Sequence, residues 1–234
     1  SAETLPLTAV IDSALCIGSG GSSGSLADKT IVRTADGRLL IPAAQLKGRL
    51  RHECEKLARG LQWPICRSPN AETMCPQWSD LDAPARAAFH RPDYQLAGVR
   101  GHHCLVCQLF GNPVLPSRLI FDDLVCPDIP ATLPEVLRPG VGINRRRRTA
   151  EDQRLYFLET SPVNMQLRFS GQIQLRAGTP IFAKALLGAA LSHIHSLGSR
   201  KSAGLGWLTW EFDLGTVTAE AWEVLARGAN HAAN

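Results

Sequence analysis

The chain has 234 residues, of which 44% are hydrophobic and 20% are charged, and these are ordinary values for a globular protein. The length suits one elaborated domain with a sizeable core, and a net charge of +4 is too small to indicate nucleic-acid binding by itself. No apolar run approaches the ~20 residues of a membrane span, and no basic-then-apolar signal opens the chain. These observations exclude a membrane-spanning protein, and we expect a cytoplasmic one without a membrane partner.

Seven cysteines are many for this length. In a reducing compartment clustered thiols favour metal ligation over disulfides, and an odd number fits poorly with a secreted disulfide framework. Some of these cysteines are therefore expected to bind a metal.

The first predicted strand covers residues 5–17, where apolar and polar residues alternate loosely. It leads into a glycine- and serine-rich loop over residues 18–25, followed by Asp28. Because glycine has no side chain and tolerates positive φ, such a loop allows the backbone to approach a ligand closely.

A hairpin and a basic helix follow. Apolar residues on both sides of Asp36-Gly37 predict the hairpin turn, and Pro42 is expected to open the helix as its first residue. Lys47 and Arg51 are four residues apart and share one helical face. A helix N-terminus with cations close behind it can hold a phosphate group.

This order of glycine loop, aspartate, extended Ile-Pro and Leu-Lys-Gly-x-x-Arg resembles the start of the RAMP superfamily, above all the repeating backbone subunit of type III CRISPR RNA-guided complexes. The resemblance implies that Lys47 and Arg51 bind guide-RNA phosphates and that Asp28 supports metal-dependent cleavage of target RNA. The chain departs from the family where Gly-Ser-Ser usually precedes Leu-Lys-Gly. At these three positions the chain has Ala43, Ala44 and Gln45. None of their side chains carries a hydroxyl group, which predicts weaker phosphate contacts.

Residues 60–108 form a proline-rich insertion that needs a source of order other than helices and strands. Cys104 and Cys107 have the two-residue spacing of a zinc knuckle, and Cys66 and Cys75 lie earlier in the insertion. Four thiolates would close a tetrahedral structural zinc site. The Cys104/Cys107 pair could instead be two core cysteines in a strand.

Three other side chains, His102, His103 and Cys54, are possible substitute ligands, although the two histidines also suit a solvated loop. The arrangement resembles the zinc-containing backbone domains of subtypes III-D and III-E, where cysteines precede a Leu-Phe-Gly motif. Here Leu109-Phe110-Gly111 follows the last cysteine directly.

The next predicted strand includes Leu119 and Phe121 and ends at Asp122 and Asp123. These two carboxylates are interpreted as a solvated strand end or as partners of Arg118, in preference to a second metal site.

The densest charge is the run Arg145 to Arg148. Four consecutive arginines repel one another unless an anion shares the site, and RNA is the natural anion. The alternative is an exposed basic loop that binds no partner. The region resembles the family's thumb hairpin, predicted over residues 125–160, with Ile143-Asn144-Arg145 at the place of Ile-Asp-Arg. The candidate RNA contacts outside the first helix and the glycine-rich loop are Arg33, Arg145, Arg146 and Arg148.

The last third is predicted to hold a strand over residues 166–175, a helix over 179–197 capped by Thr179, a strand over 205–212 and a tail helix over 219–227. A glycine-rich loop, residues 198–206, lies between the predicted helix over residues 179–197 and the strand that follows it. It resembles the loop that marks RAMP proteins and contacts guide RNA in that family. Its candidate RNA contacts are Ser199, Arg200, Lys201 and Ser202.

These elements predict an α+β fold of the ferredoxin-like, RNA-recognition-motif type. We expect a single RAMP domain over residues 1–234 with a zinc-binding insertion over 60–108 and a thumb hairpin over 125–160. The expected partners are crRNA, target RNA and other CRISPR effector subunits, including copies of this chain or related RAMP subunits.

The leading functional hypothesis is a guide-RNA-binding subunit that cleaves target RNA. Asp28 would position a divalent cation, Mg²⁺ being expected, or the ribose 2′-hydroxyl that attacks the adjacent phosphate. Two alternatives stay open: a catalytically silent crRNA-binding subunit, and a precursor-crRNA-processing endoribonuclease, for which His52 is the nearest histidine. A zinc-dependent DNA binder is disfavoured because no finger-like histidine spacing occurs.

Overall fold

The computed structural model describes residues 2–17, 31–128, 133, 136–144, 146–163, 165–198 and 204–228, and only the backbone of residues 151–154. Asp28, Arg145 and residues 199–202 of the candidate sites lie outside the described residues. The strands, in chain order, are β1 (Glu3–Ile11), β2 (Leu40–Ile41), β3 (Leu119–Phe121), β4 (Leu124–Val125), β5 (Val136–Asn144), β6 (Thr149–Thr160), β7 (Leu167–Leu175) and β8 (Leu208–Phe212).

Six of these strands form the main sheet in the order β2-β4-β7-β1-β8, with β3 also paired to β7. All of its pairs are antiparallel. β1 lies between β7 and β8, paired along its whole length with β7, so the first strand of the chain lies inside the sheet. The mixed α+β character with antiparallel sheets agrees with the fold class predicted from the sequence.

One face of the sheet carries the core. Alternate residues of β1 and β7 are almost fully buried, because the strand period of two directs them all to the same side. These residues are Leu5, Leu7, Ala9, Ile11, Leu167, Phe169, Ile173 and Leu175. On the opposite side Thr8 and Ser170 meet in an exposed hydrogen bond.

The helices are α1 (Ala43–Gly60), α2 (Ala83–Ala87), α3 (Leu105–Phe110), α4 (Ala183–His193) and α5 (Ala219–Ala226), with a 3-10 turn at Pro92–Tyr94. α1 packs against α4 and α3, and α4 also packs against α5. The buried side of α1 includes Leu46, Leu50, Cys54 and Ala58. Among the described residues, none of the helices is both long enough and apolar enough to cross a membrane.

Two helix starts differ from the sequence prediction. Pro42 is the residue before α1 rather than its first residue. The predicted Thr179 cap of α4 is wrong, because the Thr179 hydroxyl and N–H both donate to the carbonyl of Arg176 and form a turn there. α4 therefore begins only at Ala183, and it ends at His193 because Ile194 is extended (φ −93°, ψ 101°).

β5 and β6 form a separate two-stranded antiparallel sheet with a register shift between Val141 and Ile143. The predicted first strand ends earlier than expected, at Ile11, and residues 12–17 leave the sheet. A small second core cluster of Ala14, Cys16, Leu158 and Leu205 joins this segment to β6, with Tyr156 packed against it.

We expect Gly206→Ala to destabilise the fold. Gly206 has a positive φ of 74°, and an added Cβ would lie 1.8 Å from the carbonyl oxygen of Leu197. The backbone strain of alanine at a positive φ and the displacement of the Leu197 carbonyl together predict a loss of at least about 2 kcal/mol of unfolding free energy. Urea denaturation would measure this loss.

Gly204→Ala is the matched control, because Gly204 has a similar φ of 77° and no atom within 4 Å of an added Cβ. It should show the φ strain alone. Equal losses in the two variants would contradict a close contact at Gly206.

Candidate nucleic-acid interface and metal centre

Residues 14–17, here called the junction segment, connect β1 to the first glycine loop. Leu15 exchanges two hydrogen bonds with Ser161, which follows β6: its N–H donates to the Ser161 hydroxyl at 2.8 Å, and its carbonyl accepts from the Ser161 N–H at 2.9 Å. Both residues are buried. The base of the β5–β6 hairpin is therefore fixed on the junction segment.

The glycine-rich loop of residues 198–206 also begins and ends on this segment. The Gly206 N–H donates to the carbonyl of Ala14 at 2.8 Å. At the other end, Gly198 has φ 88°, and an added Cβ would lie 2.5 Å from the Cys16 carbonyl oxygen. Both ends need glycine, because each combines a positive φ with close backbone contact.

The chain returns to the same place after the first glycine loop. The Val32 N–H donates to the Ile17 carbonyl at 3.3 Å, and the Ile31 N–H donates to the Glu159 carboxylate at 3.0 Å. Both glycine loops and the hairpin thus have their bases at the junction segment. In the sequence Asp28 follows the first of these loops, and it lies outside the described part of the chain.

Arg33, a predicted RNA contact, forms an ion pair with Glu159 at 2.6 Å, and the Glu159 side chain is 8% exposed. Glu159 is not among the functional residues predicted from the sequence. In the sequence, Glu159 continues the alternation of the apolar residues Leu155 and Phe157, so a carboxylate occupies a position where an apolar side chain is expected. This pattern indicates a buried acidic group with a partner. RNA binding by Arg33 stays a prediction, and the observed contact joins the hairpin to the chain after the first loop.

The hairpin tip presents its arginines to solvent. The Asn144 side-chain oxygen accepts the backbone N–H groups of Arg146 and Arg147 at 3.0 and 3.1 Å, a local turn that asparagine forms as well as aspartate does. The side chains of Arg146, Arg147 and Arg148 are exposed and form no ion pair with any described residue. Asn144 forms this turn without adding a negative charge beside the arginines.

On α1, the two predicted phosphate ligands have different surroundings. Lys47 is partly buried, and this burial, followed by the charge of Arg51, lowers its pKa. It forms no ion pair with a described residue. It lines a groove of about 400 Å³ together with Arg51, Gly111 and Ser117. Arg51 instead contacts Glu55, the Gly111 carbonyl and Cys107.

The N-terminus of α1 already has an anionic partner. The Asp123 carboxylate accepts the N–H of Ala43 at 2.6 Å and so acts as a cap supplied from outside the helix. A phosphate at this terminus, as the sequence analysis suggested, would meet this negative charge. Of the three alternatives considered for Asp123, a solvated end, a partner of Arg118 or a metal ligand, none anticipated this contact.

The structure brings Cys66, Cys75, Cys104 and Cys107 together. All four are buried, and their sulfur atoms lie within 4.8 Å of one another. The Cys66 sulfur is 3.7 Å from that of Cys104 and 3.5 Å from that of Cys107. Four sulfurs at ~2.3 Å from a tetrahedral Zn²⁺ would be about 3.8 Å apart, whereas a disulfide needs ~2.05 Å. The separations fit a metal and not a disulfide.

The polarity of the cluster also fits a cation. Hydrogen bonds from the other three thiols, followed by the guanidinium of Arg51, hold the pKa of Cys107 well below its ordinary value. Burial, followed by the neighbouring thiols, raises the pKa of Cys104. The cluster therefore favours a thiolate at Cys107, which is the form of cysteine that binds a metal. N–H groups of Trp78 and Cys104 also donate to the sulfur of Cys75, at 3.2 and 3.3 Å.

Glu55 links α1 to both halves of the cluster. Its buried carboxylate accepts the Ser68 hydroxyl at 2.6 Å and pairs with Arg51 at 3.1 Å and Arg59 at 3.7 Å. Arg59 in turn donates to the Cys66 carbonyl at 2.8 Å. Neither Glu55 nor Arg59 was singled out from the sequence, because their contacts with Ser68 and with the Cys66 carbonyl join α1 to an irregular segment.

The four cysteines could thus hold a structural metal such as zinc. The substitutes considered from the sequence are not members of this group among the described residues. His103 is buried with both ring nitrogens engaged, Nε2 donating to the Arg100 carbonyl and Nδ1 accepting from Asn112. Cys104 precedes α3 and Cys107 lies in its first turn, so the alternative of two cysteines in a strand is wrong.

The backbone at the end of α3 explains why the Leu-Phe-Gly motif ends in glycine. Gly111 ends α3 with φ 79°, and an added Cβ would lie 2.7 Å from both the Leu115 carbonyl oxygen and the Ser117 nitrogen. Its carbonyl accepts from Arg51 at 2.8 Å. The motif therefore fixes the turn beside the cysteines and the Lys47 groove.

Comparison with protein families gives a match to the model described as the RAMP superfamily, over residues 8–209. The match extends from within β1 to within β8 and includes the junction segment, the cysteine cluster and the hairpin. A comparison with curated proteins gives no match.

We expect Cys104→Ser to lose the bound metal and to lower the thermal midpoint by more than about 5 °C, because metal-binding free energy in such sites contributes to folding. Metal content would be measured by mass spectrometry and the midpoint by calorimetry, with and without a chelator.

Cys126→Ala is the control, because Cys126 is buried outside the cluster and its thiol donates to Asp128 at 3.3 Å. It should keep the metal. A wild-type protein without metal, or a Cys104→Ser variant with full metal content, would contradict the assignment.

Proposed function

The chain belongs to the RAMP superfamily, and from this premise we propose that it is a guide-RNA-binding backbone subunit of a type III CRISPR effector complex. The family match over residues 8–209 is the observation that carries the proposal. Its partners would be crRNA, target RNA and other effector subunits, including copies of this chain or related RAMP subunits.

We propose a single ferredoxin-like domain over residues 1–234. The order β1-α1-β4 followed by β7-α4-β8, with β1 and β7 adjacent in the sheet, supports this assignment. The insertion over residues 60–108 would be stabilised by structural zinc on the four cysteines, as in subtypes III-D and III-E. The β5–β6 hairpin would be the thumb.

RNA would follow the side of the protein where the glycine loops and the hairpin begin. The common base at the junction segment supports one continuous track, because backbone amides of glycine loops and arginine side chains both suit phosphate oxygens. Arg145, Arg146 and Arg148 at the hairpin tip would contribute, together with residues 199–202. On α1 the corresponding cation is Lys47, and the roles of Arg33 and Arg51 in RNA binding stay predictions.

Cleavage of target RNA would use Asp28. RNA supplies its own nucleophile: the 2′-oxygen would lose its proton and bond to the adjacent phosphorus, and the bond from that phosphorus to the 5′-oxygen of the next nucleotide would break, with a proton added to the leaving 5′-oxygen. One carboxylate that holds the 2′-hydroxyl in line with this phosphate can therefore suffice. A divalent cation, with Mg²⁺ as the expected one, would supply charge stabilisation of the phosphate when bound. Base pairing to the guide would provide the sequence specificity. The alternatives are a silent crRNA-binding subunit and a precursor-processing endoribonuclease.

The double variant Arg146→Gln/Arg148→Gln should bind guide RNA more weakly and with less salt dependence. Each lost phosphate contact lowers the slope of log K against log salt by about 0.7 on single-stranded RNA, so the pair predicts a change of about 1.4. Filter binding at several salt concentrations would measure this slope.

Arg67→Gln/Arg86→Gln is the charge-matched control, since both arginines lie in the insertion, where Arg67 pairs with Asp80 and Arg86 with the Leu81 carbonyl. Its slope should equal that of the wild type. Equal slopes for both double variants and the wild type would show that the hairpin tip is not part of the RNA interface.

Asp28→Ala should lower target cleavage at this subunit's position in the assembled complex by about 100-fold or more, with guide binding unchanged, because a misplacement of the attacking group by ~1 Å can cost about 100-fold. Gel analysis of labelled target RNA would measure the rate.

Asp36→Ala is the acidic control, because Asp36 is an exposed turn residue paired with Arg38 at 2.8 Å. It should cleave normally. Unchanged cleavage by Asp28→Ala would favour the silent subunit, and cutting of unprocessed repeat RNA by the isolated protein would favour the processing enzyme.

A further inference from the structure

Arg51 lies against the cysteine cluster rather than in solvent. Its Nη2 donates to the Cys107 sulfur at 3.5 Å, its Nη1 donates to the Gly111 carbonyl at 2.8 Å, and its Nε donates to Glu55 at 3.1 Å. Its side chain is only 15% exposed. Three of its five N–H groups therefore donate to partners inside the protein.

A metal bound by four thiolates would favour a cation at this position. One Zn²⁺ with four thiolates has a net charge of about −2, and an uncompensated buried charge is costly. The N–H groups that donate to Cys75 are neutral. Two other arginines near the cysteines have different partners: Arg59 donates to the Cys66 carbonyl, and Arg91 lies 4.2 Å from the centre of the Trp63 ring.

We propose that Arg51 is an outer-sphere partner of the metal centre. Its guanidinium compensates the charge of the Cys107 thiolate, and its pairing with Glu55 holds this guanidinium in place. By binding the Gly111 carbonyl at the same time, it fixes the end of α3 relative to α1. Arg51 is thus a positioning residue for the metal ligands. The inference rests on the proposed metal binding and does not require RNA binding.

This role competes with phosphate binding. Three of the five N–H groups of Arg51 already bind the Cys107 sulfur, the Gly111 carbonyl and Glu55. A phosphate that drew the guanidinium away from these groups would leave a buried polar group without its partner. Lys47 is one turn earlier, lines the same groove and has no ion pair with a described residue. The phosphate contact of α1 is therefore assigned to Lys47.

The test replaces zinc by Co²⁺, whose spectrum reports directly on the thiolates. We expect Arg51→Gln to weaken Co²⁺ binding by about 10–100-fold in chelator competition. We also expect the sulfur-to-cobalt charge-transfer band to move to longer wavelength, because loss of a positive charge raises the energy of the sulfur lone pairs. Arg49→Gln is the control, since Arg49 lies on the same helix and pairs with Glu53 at 3.7 Å.

Arg51→Lys keeps the charge but loses the planar fork, and its affinity should lie between those of the wild type and Arg51→Gln. If Arg51→Gln does not fold, Arg51→Lys against Arg49→Lys decides the question by the same two readouts. Wild-type affinity together with an unshifted band in the folded Arg51 variant overturns the inference.

Measurements of RNA binding distinguish a failure of this inference from a failure of the proposed function. Lys47→Gln should lower the salt slope of RNA binding by about 0.7. A wild-type protein that binds Co²⁺ but no RNA would refute the proposed function and leave the metal readouts of Arg51 intact. A lowered RNA slope in Arg51→Gln with unchanged Co²⁺ binding would make Arg51 a phosphate ligand and overturn the inference.

Discussion

The arrangement of the molecule depends on how the junction segment satisfies its buried backbone groups once β1 has left the sheet. A buried N–H or carbonyl without a partner costs about 1–3 kcal/mol, and β7 and β8 no longer provide partners beyond Ile11. Ser161 and Gly206 provide them instead. The hairpin and the glycine-rich loop are therefore brought together by the stability of the fold itself. A ligand that uses both would meet loops whose bases are already fixed.

The insertion has a different source of order. Its helices have only 5 and 6 residues, which is too short for stability without tertiary contacts. Its aromatic residues pack around Trp63 and Tyr94, but the parts that bear Cys66 and Cys104 lie far apart in sequence. A metal would join them, and Glu55 joins both parts to α1. Order in the insertion and the position of α3 beside the Lys47 groove are thus coupled.

Sequence reasoning succeeded where the signal is local. The alternation in β7, the turn at Asp36-Gly37 and the two-residue cysteine spacing each appear within a few positions, and the structure has a strand, a turn and a cysteine cluster there. It failed where partners are distant. The Asp123 cap of α1 is 80 residues away, and Arg51 and Cys107 are 56 residues apart. No periodicity predicts such pairs, because they arise only when separate elements pack.

The arginines illustrate why charge clusters in a sequence are an incomplete guide to an anion-binding surface. Arg33, Arg51 and Arg59 each have a carboxylate partner inside the fold, whereas Arg146 to Arg148 at the hairpin tip have none among the described residues. A guanidinium that already binds a buried carboxylate has part of its charge compensated and fewer N–H groups to offer a phosphate, and moving it toward the phosphate would leave the carboxylate unpaired. An exposed guanidinium loses only water. The affinity for an anion is therefore expected to reside in the exposed arginines, and the internally paired ones determine where the exposed ones are held.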